Sequence, residues 1–293
     1  MFHVKHKELM QRIQPTNSEN TFKVKDHFLT QKEFYLNKNS EFGYLETHPI
    51  PENLSEFYKS ENYISHTDSR KSLFEKVYQK LKLYNIRYKF SKLDHKENGK
   101  KLLDIGCGTG DFIQFAQKKG LKVFGIEPNQ KAIEIAKNKI GREGEFFDEL
   151  SDTDETFDSI TLWHVLEHIP DLNRTLIEIK SKLKSEGELI IAVPNYKSFD
   201  AKFYQSFWAA YDVPRHLWHF SPEDFDRLMN HHGMKIVNKY PLLLDSFYVS
   251  LLSEKYKGNR WGIFRAMLIG TISNFLGFWN GNYSSIIYKI KKY

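Results

Sequence analysis

Three carboxylates and three glycines between positions 104 and 127 carry the clearest chemistry in this sequence. Asp104 lies in the apolar run Leu102-Leu103-Asp104-Ile105, Gly106, Gly108 and Gly110 form the turn that follows, and Asp111 and Phe112 open the next segment. Glu127 ends a second apolar run, Val123-Phe124-Gly125-Ile126. A strand passing through a glycine turn into a helix, then a second strand ending in an acid, is how a βαβ unit grips an adenosine-bearing ligand. The glycines let the backbone turn sharply and approach the ligand with no Cβ in the way. Glu127 lies 21 residues after Gly106, the distance at which an acid accepts hydrogen bonds from ribose hydroxyls. A dinucleotide fingerprint needs glycine at 111, where this chain has Asp111. A carboxylate in that first helical turn would repel a pyrophosphate seated at the helix N-terminus. A ligand with an adenosine, no phosphate and a positive charge meets no such objection, and Asp104 stands where it can balance that charge.

S-adenosylmethionine (SAM), with its sulfonium and ammonium groups, answers that description. Further along, an apolar run ends in Trp163-His164-Val165-Leu166-Glu167-His168. Trp163 and His164 would border the cofactor at the strand's carboxyl end. His168 is a candidate general base, since an imidazole takes a proton from a hydroxyl near neutral pH. His164 to His168 also spells H-x-x-E-H, a zinc-peptidase motif, but that motif needs a helix. Here it comes straight off a strand with Pro170 close behind, which argues against a peptidase. A second cluster runs from Phe207 to Phe220 and holds Trp208, Tyr211, Asp212, Arg215, His216, Trp218 and His219. It falls on the sheet edge where open α/β folds bind ligands. It supplies candidate substrate-binding residues (Trp208, Tyr211, Arg215) and two further candidate bases (His216, His219).

With these residues in place, the sequence resembles the class I SAM-dependent methyltransferases. The likeness extends to Phe157–Ile169 as the fourth strand and its loop, and to Ser185–Asn195 as the turn into the fifth. It is closest to the small-molecule branch with Leu-Glu-His after strand four, type 11/23-like, which includes ubiquinone-type O-methyltransferases and sugar C-methyltransferases. The resemblance implies a Rossmann-like, seven-stranded, doubly wound α/β sheet. It also implies a cofactor-binding set of Asp104, Gly106, Cys107, Gly108, Gly110, Phe112, Glu127, Pro128, Asp148, Trp163 and His164. The loop at 207–220 would cover the active site. Some relatives place a divalent ion after strand four, usually with Glu at the first position, where this chain has His164; no metal is expected. Many relatives carry a zinc knuckle of paired cysteines near the N-terminus. The matching positions here, around Asn39 and Phe42, have none, so packing alone must hold that lobe.

The elements that position these residues follow from the patterning. Strands are predicted near 101–105, 121–126, 144–147, 158–163 and 188–193, alternating with helices near 110–119, 129–139 and 171–184, which implies a parallel sheet covered on both faces. Ser221-Pro222-Glu223-Asp224 starts another helix, with an N-cap serine and proline at the first position. Met234–Tyr240 reads as a sixth strand and Ser285–Ile290 as a seventh, antiparallel by the resemblance. The expected division is an accessory lobe at 1–69, a basic connecting helix at 70–100 and the methyltransferase domain at 101–293. An apolar insertion at 241–283 interrupts the last of these. Its core, 261–279, nears membrane-span length but contains Arg265 and three glycines. It reads as a packed helical insertion or an interface, with shallow membrane contact as the alternative.

Composition narrows the class. The chain has 293 residues and a net charge of +6, with Cys107 as its one cysteine. No internal disulfide is therefore possible, which suits a reducing compartment, and cytoplasm is the expected location. Residues 70–101 alone carry a net +8. Such a stretch is either a solvated helix face, with Leu73, Val77, Leu81 and Tyr84 at helical spacing to bury, or a nucleic-acid surface. The leading expectation is methyl transfer to oxygen or carbon of a small molecule. The alternatives are RNA-directed methylation and a non-catalytic SAM-binding protein.

Overall fold

The computed structural model describes residues 21–58, 73–141 and 144–293. Two sheets share one chain. The smaller begins with β1 (Thr21–Lys25), β2 (Glu33–Lys38) and β3 (Leu45–His48), followed by a 3-10 turn at Leu54–Tyr58. Helix α1 (Leu73–Ser91) leads into the larger sheet. Next come β4 (Lys101–Ile105), α2 (Asp111–Gln117), β5 (Lys122–Ile126), α3 (Gln130–Ile140), β6 (Glu145–Phe147), β7 (Phe157–Trp163), α4 (Leu172–Lys182) and β8 (Leu183–Pro194). After α5 (Phe199–Tyr204) the chain forms β9 (Trp218–His219), α6 (Pro222–His231), β10 (Met234–Pro241), α7 (Leu243–Tyr256), α8 (Gly262–Asn280) and β11 (Ser285–Lys292).

The large sheet runs β10-β11-β8-β7-β4-β5-β6. The pairs among β4, β5, β6, β7 and β8 are parallel, while β11 runs antiparallel between β8 and β10. The seven-stranded sheet and its inserted antiparallel strand therefore stand as the sequence implied. Its central strands are covered on both faces, so they read as unbroken apolar runs: Ile160, Leu162, Leu189, Ile190 and Ile191 are all fully buried. Local signals fixed the helix starts. Ser221 accepts from the Asp224 N–H with Pro222 behind it, Asn129 caps α3, and Asp171 caps α4. One boundary differs: Ser185-Glu186-Gly187, read as a turn, lies within β8, which begins at Leu183. Fully buried Glu188 holds the strand there, accepting hydrogen bonds from the Ser159 hydroxyl and the Asp94 N–H.

The N-terminal lobe does not stand apart. Its antiparallel sheet is completed by β9, a strand some 170 residues later that pairs with β3 (Leu45 opposite His219). Phe42 and Tyr44 pack into the same core as Phe220, Phe225 and Tyr288, and the Arg227 Nε–H donates to the Phe42 carbonyl at 2.8 Å. Packing is not its sole support. The Asn39 side-chain oxygen accepts from the Glu41 and Phe42 N–H groups, and the Asp26 carboxylate accepts from those of Phe28, Leu29 and Thr30. These two polar hubs tie the loops.

Helix α1 departs from its predicted amphipathic face. The side chains of Leu73 and Val77 lie outside the described residues, and Leu81 and Tyr84 are exposed. What the helix buries is its far end, Phe90, followed by Leu93.

Candidate active site

The glycine turn is shaped for close approach. Gly106, Gly108 and Gly110 all have positive φ, at +71°, +54° and +80°. A Cβ on Gly106 would come within 2.4 Å of Val165, and one on Gly110 within 2.9 Å of Ala136. A Cβ on Gly108 would meet nothing within 4 Å. Gly106 and Gly110 are therefore required by packing, whereas Gly108 keeps a surface bare. Glu127 is locked beside it, accepting from the Gly108 N–H at 2.9 Å and from the Asn129 N–H at 2.8 Å. Two donors leave the carboxylate with lone pairs to spare for ribose hydroxyls. Pro128 follows at the strand's end, and Asp148, after β6, is exposed.

Asp104 is buried, with the Thr161 hydroxyl donating to it at 2.6 Å. Burial pushes its carboxyl up to about 7, against the opposing pull of Thr161 and of the Lys89 charge. A buried carboxylate short of a counter-charge is a seat for a cation. Asp111, by contrast, is taken up by Lys82 at 2.8 Å and Lys139 at 2.9 Å. Two lysines offset its charge, so the expected repulsion of a pyrophosphate by Asp111 is weakened. Phe112 meets Trp163 edge to face at 5.1 Å, and the buried Trp163 indole N–H has no partner among the described residues. The Cys107 thiol is buried, and burial drives its pKa far up, leaving it inert.

Two residues of this neighbourhood escaped the sequence reading. Lys89 of α1 stands 4.8 Å from the Trp163 ring centre, and its ammonium is felt by both Asp104 and Asp245. Asp245, in the first turn of α7, holds the His164 Nε2 at 2.8 Å, and Glu167 holds Nδ1 at 3.3 Å. Burial opposes protonation of His164, but the two carboxylates prevail and raise its pKa to about 9. His164 is thus an imidazolium clamp, held at a φ of +58°, that fastens α7 to the end of β7. Lys89 carried no distinctive signal in a lysine-rich helix. Asp245 did: it is the only charge between Pro241 and Ser253.

The proposed bases separate. Leu166–His168 forms one 3-10 turn rather than a helix, which removes the geometry a zinc peptidase needs. His168 Nδ1 lies 3.1 Å from the Arg215 carbonyl and His216 Nδ1 lies 2.8 Å from that of Ala210. Carbonyls only accept, so His216 carries a proton on Nδ1, while its Nε2 faces the Asp212 carboxylate at 3.8 Å. His168 Nδ1 also lies 3.1 Å from the Tyr58 hydroxyl, so it can donate to the carbonyl or accept from the hydroxyl. The rings meet edge to face at 4.5 Å. Burial and the neighbouring His216 lower the His168 pKa to about 4. Beside them the buried Glu167 Oε2 has no partner among the described residues. Ligand atoms of Glu167, His168 and His216 all lie within 4.8 Å of one another, so this trio could also hold a divalent cation.

Four assignments are corrected. His219 is buried behind His216, with Nε2 2.9 Å from the Thr47 hydroxyl, which itself donates to the His216 carbonyl. His219 Nε2 must therefore donate, so this ring joins the small sheet and offers no base. Trp208 is buried and its indole N–H donates to Asp200 at 2.7 Å, while Tyr211 packs against it at 5.0 Å. Both belong to the lobe's core rather than to a substrate wall. Arg215 is buried, paired with Asp212 and stacked on Phe28 at 4.4 Å. What it gives the site is its carbonyl, on His168.

A turn with a bare Gly108, a ribose-ready acid and a cation-seeking buried carboxylate fit SAM in shape and charge. The comparisons agree. A family model described as a methyltransferase domain matches residues 76–239, more than half of the chain. A demethylmenaquinone methyltransferase of Thermotoga maritima is 31% identical over 161 residues, 48% of this chain and 69% of that one. A ubiquinone biosynthesis O-methyltransferase of Coxiella burnetii is 29% identical over 133 residues, 43% of this chain and 56% of that one. Among solved structures, the cyclopropane synthase MmaA2 of Mycobacterium tuberculosis shares the fold at a TM-score of 0.56 and 14% identity, covering 84% of this chain and all of that one. The chain belongs to the methyltransferase-domain family and is a SAM-dependent methyltransferase.

Proposed function

We propose that the protein methylates a hydroxyl oxygen, or a carbon activated by an adjacent hydroxyl, on a small-molecule acceptor. The observation carrying this reading is the pair of imidazoles, His168 and His216, which meet edge to face at 4.5 Å beside the Glu167 carboxylate, with His168 Nδ1 at the Arg215 carbonyl. Bound SAM supplies a methyl group already activated by its sulfonium. The chain's own work is to hold the ribose on Glu127, to set Asp104 against the cofactor's positive charge, and to exclude water with Phe112 and Trp163. His168 Nε2 then takes the acceptor's hydroxyl proton, and the Glu167 carboxylate beside it stabilises the imidazolium. Alignment contributes up to about 7–11 kcal/mol of barrier reduction, and the base roughly 10²–10⁴-fold in rate.

RNA-directed methylation is not favoured, because several of the described cations of the basic segment are engaged within the protein. Lys82 binds Asp111, Lys89 faces Trp163, Lys92 lies over Tyr88 and Tyr240, and Lys100 binds Asp158. The test is transfer of labelled methyl from SAM to a panel of phenols, quinols and sugars, with the product's methyl resonance read by NMR. An O–CH3 or C–CH3 product supports the reading; an N-methyl product or labelled RNA overturns it.

A further inference from the structure

Helices α7 and α8 form a hairpin whose outer face is crowded with exposed apolar side chains at both ends of α8. Phe264 is 74% exposed, Phe278 73% and Trp279 72%, with Trp261, Ile263, Leu268 and Phe275 close behind. A contiguous apolar surface on this scale marks an interaction site. By length and composition α8 could cross a membrane, but its other face is committed to the protein. Ala266, Ile269, Gly270, Ser273 and Gly277 are buried, the Ser273 hydroxyl donates to Asp200 at 2.6 Å, and a Cβ on Gly270 would strike Phe247. A helix with one side bound to protein along its length lies on a bilayer rather than through it.

The charges name the occupant. Four cations, Lys255, Lys257, Arg260 and Arg265, stand exposed at and beside the α7–α8 turn. The hairpin's two acids are turned inward: Asp245 clamps His164, and fully buried Glu254 binds Arg265 at 3.2 Å. Outward-facing charge on the hairpin is therefore entirely positive. Aromatic rings stand at both ends of α8, Trp261 and Phe264 at one and Phe278 and Trp279 at the other. Basic residues flanking an apolar face with aromatic anchors suit the boundary of an anionic lipid bilayer, where a helix lies in the interfacial plane.

We propose that the α7–α8 hairpin docks the protein onto an anionic membrane surface. The docking stands on this face alone and does not depend on which acceptor is methylated. Because Asp245 roots α7 at His164, the docked face and the mouth of the site belong to one rigid element.

Flotation of the full chain with phosphatidylcholine vesicles, with and without phosphatidylglycerol, tests the proposal. The protein is expected to float with the anionic vesicles and only weakly with neutral ones. F264S combined with F278S removes two interfacial rings, and vesicle affinity should fall about a thousandfold. K255Q, K257Q and R260Q together should cost about a hundredfold on anionic vesicles and little on neutral ones. All these side chains are exposed, so melting temperature and SAM affinity should match the wild type and confirm that the variants fold. Absence of flotation by the wild type overturns the proposal. So does a concentration-dependent dimer in light scattering that the two serine substitutions abolish, which would assign the face to a second copy.

Discussion

Replacing Asp104 by Asn tests the cofactor site most sharply. Ordinary carboxylates ionise near 3.8, and burial moves Asp104 to about 7. That gap corresponds to about 4 kcal/mol by which the folded protein, without ligand, resists ionisation of this group. The sign follows: the folded pKa lies above the unfolded one, so the group costs stability as pH rises from 4 towards 7, and the cost is constant above that. A bound cation reverses the preference for the neutral acid. SAM affinity should therefore climb nearly tenfold per pH unit below 7 and level off above it, a rise of up to about a hundredfold between pH 5 and 8. In D104N the pH dependence should vanish. Affinity at pH 8 should fall by about 2–5 kcal/mol, the range for removing one partner of a buried charge pair. Isothermal titration calorimetry with SAM across this pH range reads both effects. A wild-type affinity flat from pH 5 to 8, or unimpaired binding by D104N, would refute the reasoning.

Further outcomes follow from individual contacts. G108A should fold with a modest loss from its positive φ yet bind SAM poorly, whereas G106A, driven into Val165, should lose about 1–3 kcal/mol or more in urea unfolding. D245N should bring the His164 pKa, followed by imidazole proton shifts, down from about 9; the stability this ion pair adds is full below pH 6.5 and disappears as pH rises through 9. H168N and H216N should each lower kcat about 10²–10⁴-fold with SAM affinity retained, and the wild-type kcat at saturating SAM should hold until acid conditions near pH 4 protonate His168. W208A should act on the fold instead, costing about 3–5 kcal/mol in thermal or chemical unfolding with no selective change in KM.

The sheet and the cofactor turn were readable in the residues because both rest on short-range patterns. Gly106 to Asp111 declare a turn into a helix, Ser221-Pro222 declares a helix start, and unbroken apolar runs declare buried parallel strands. The base neighbourhood was only half legible. His168 was found because it follows a strand directly, but nothing local reveals that Ala210 and Arg215 lend it and His216 their carbonyls. Aromatic residues mislead for a physical reason: Trp208 and Tyr211 suit a substrate wall and a packed core equally. What decides is the buried Asp200, which collects the Trp208 donor from nearby and the Ser273 and Ser284 donors from segments more than 70 residues away. The charge of Asp111 was legible, but not the two lysines, one from α1 and one from α3, that spend it.

The pairing of β3 with β9 also orders events as the chain is made. The free edge of the early sheet has no neighbour until Trp218 and His219 have left the ribosome, by which time β4 to β8 have already emerged. The sheet of β1 to β3, made before β4 to β8, is thus completed after them, and it waits as an open template for the strand that arrives. A variant lacking β1 to β3 would take Phe42 and Tyr44 out of the core they share with Phe220 and Phe225 rather than yield a smaller working enzyme.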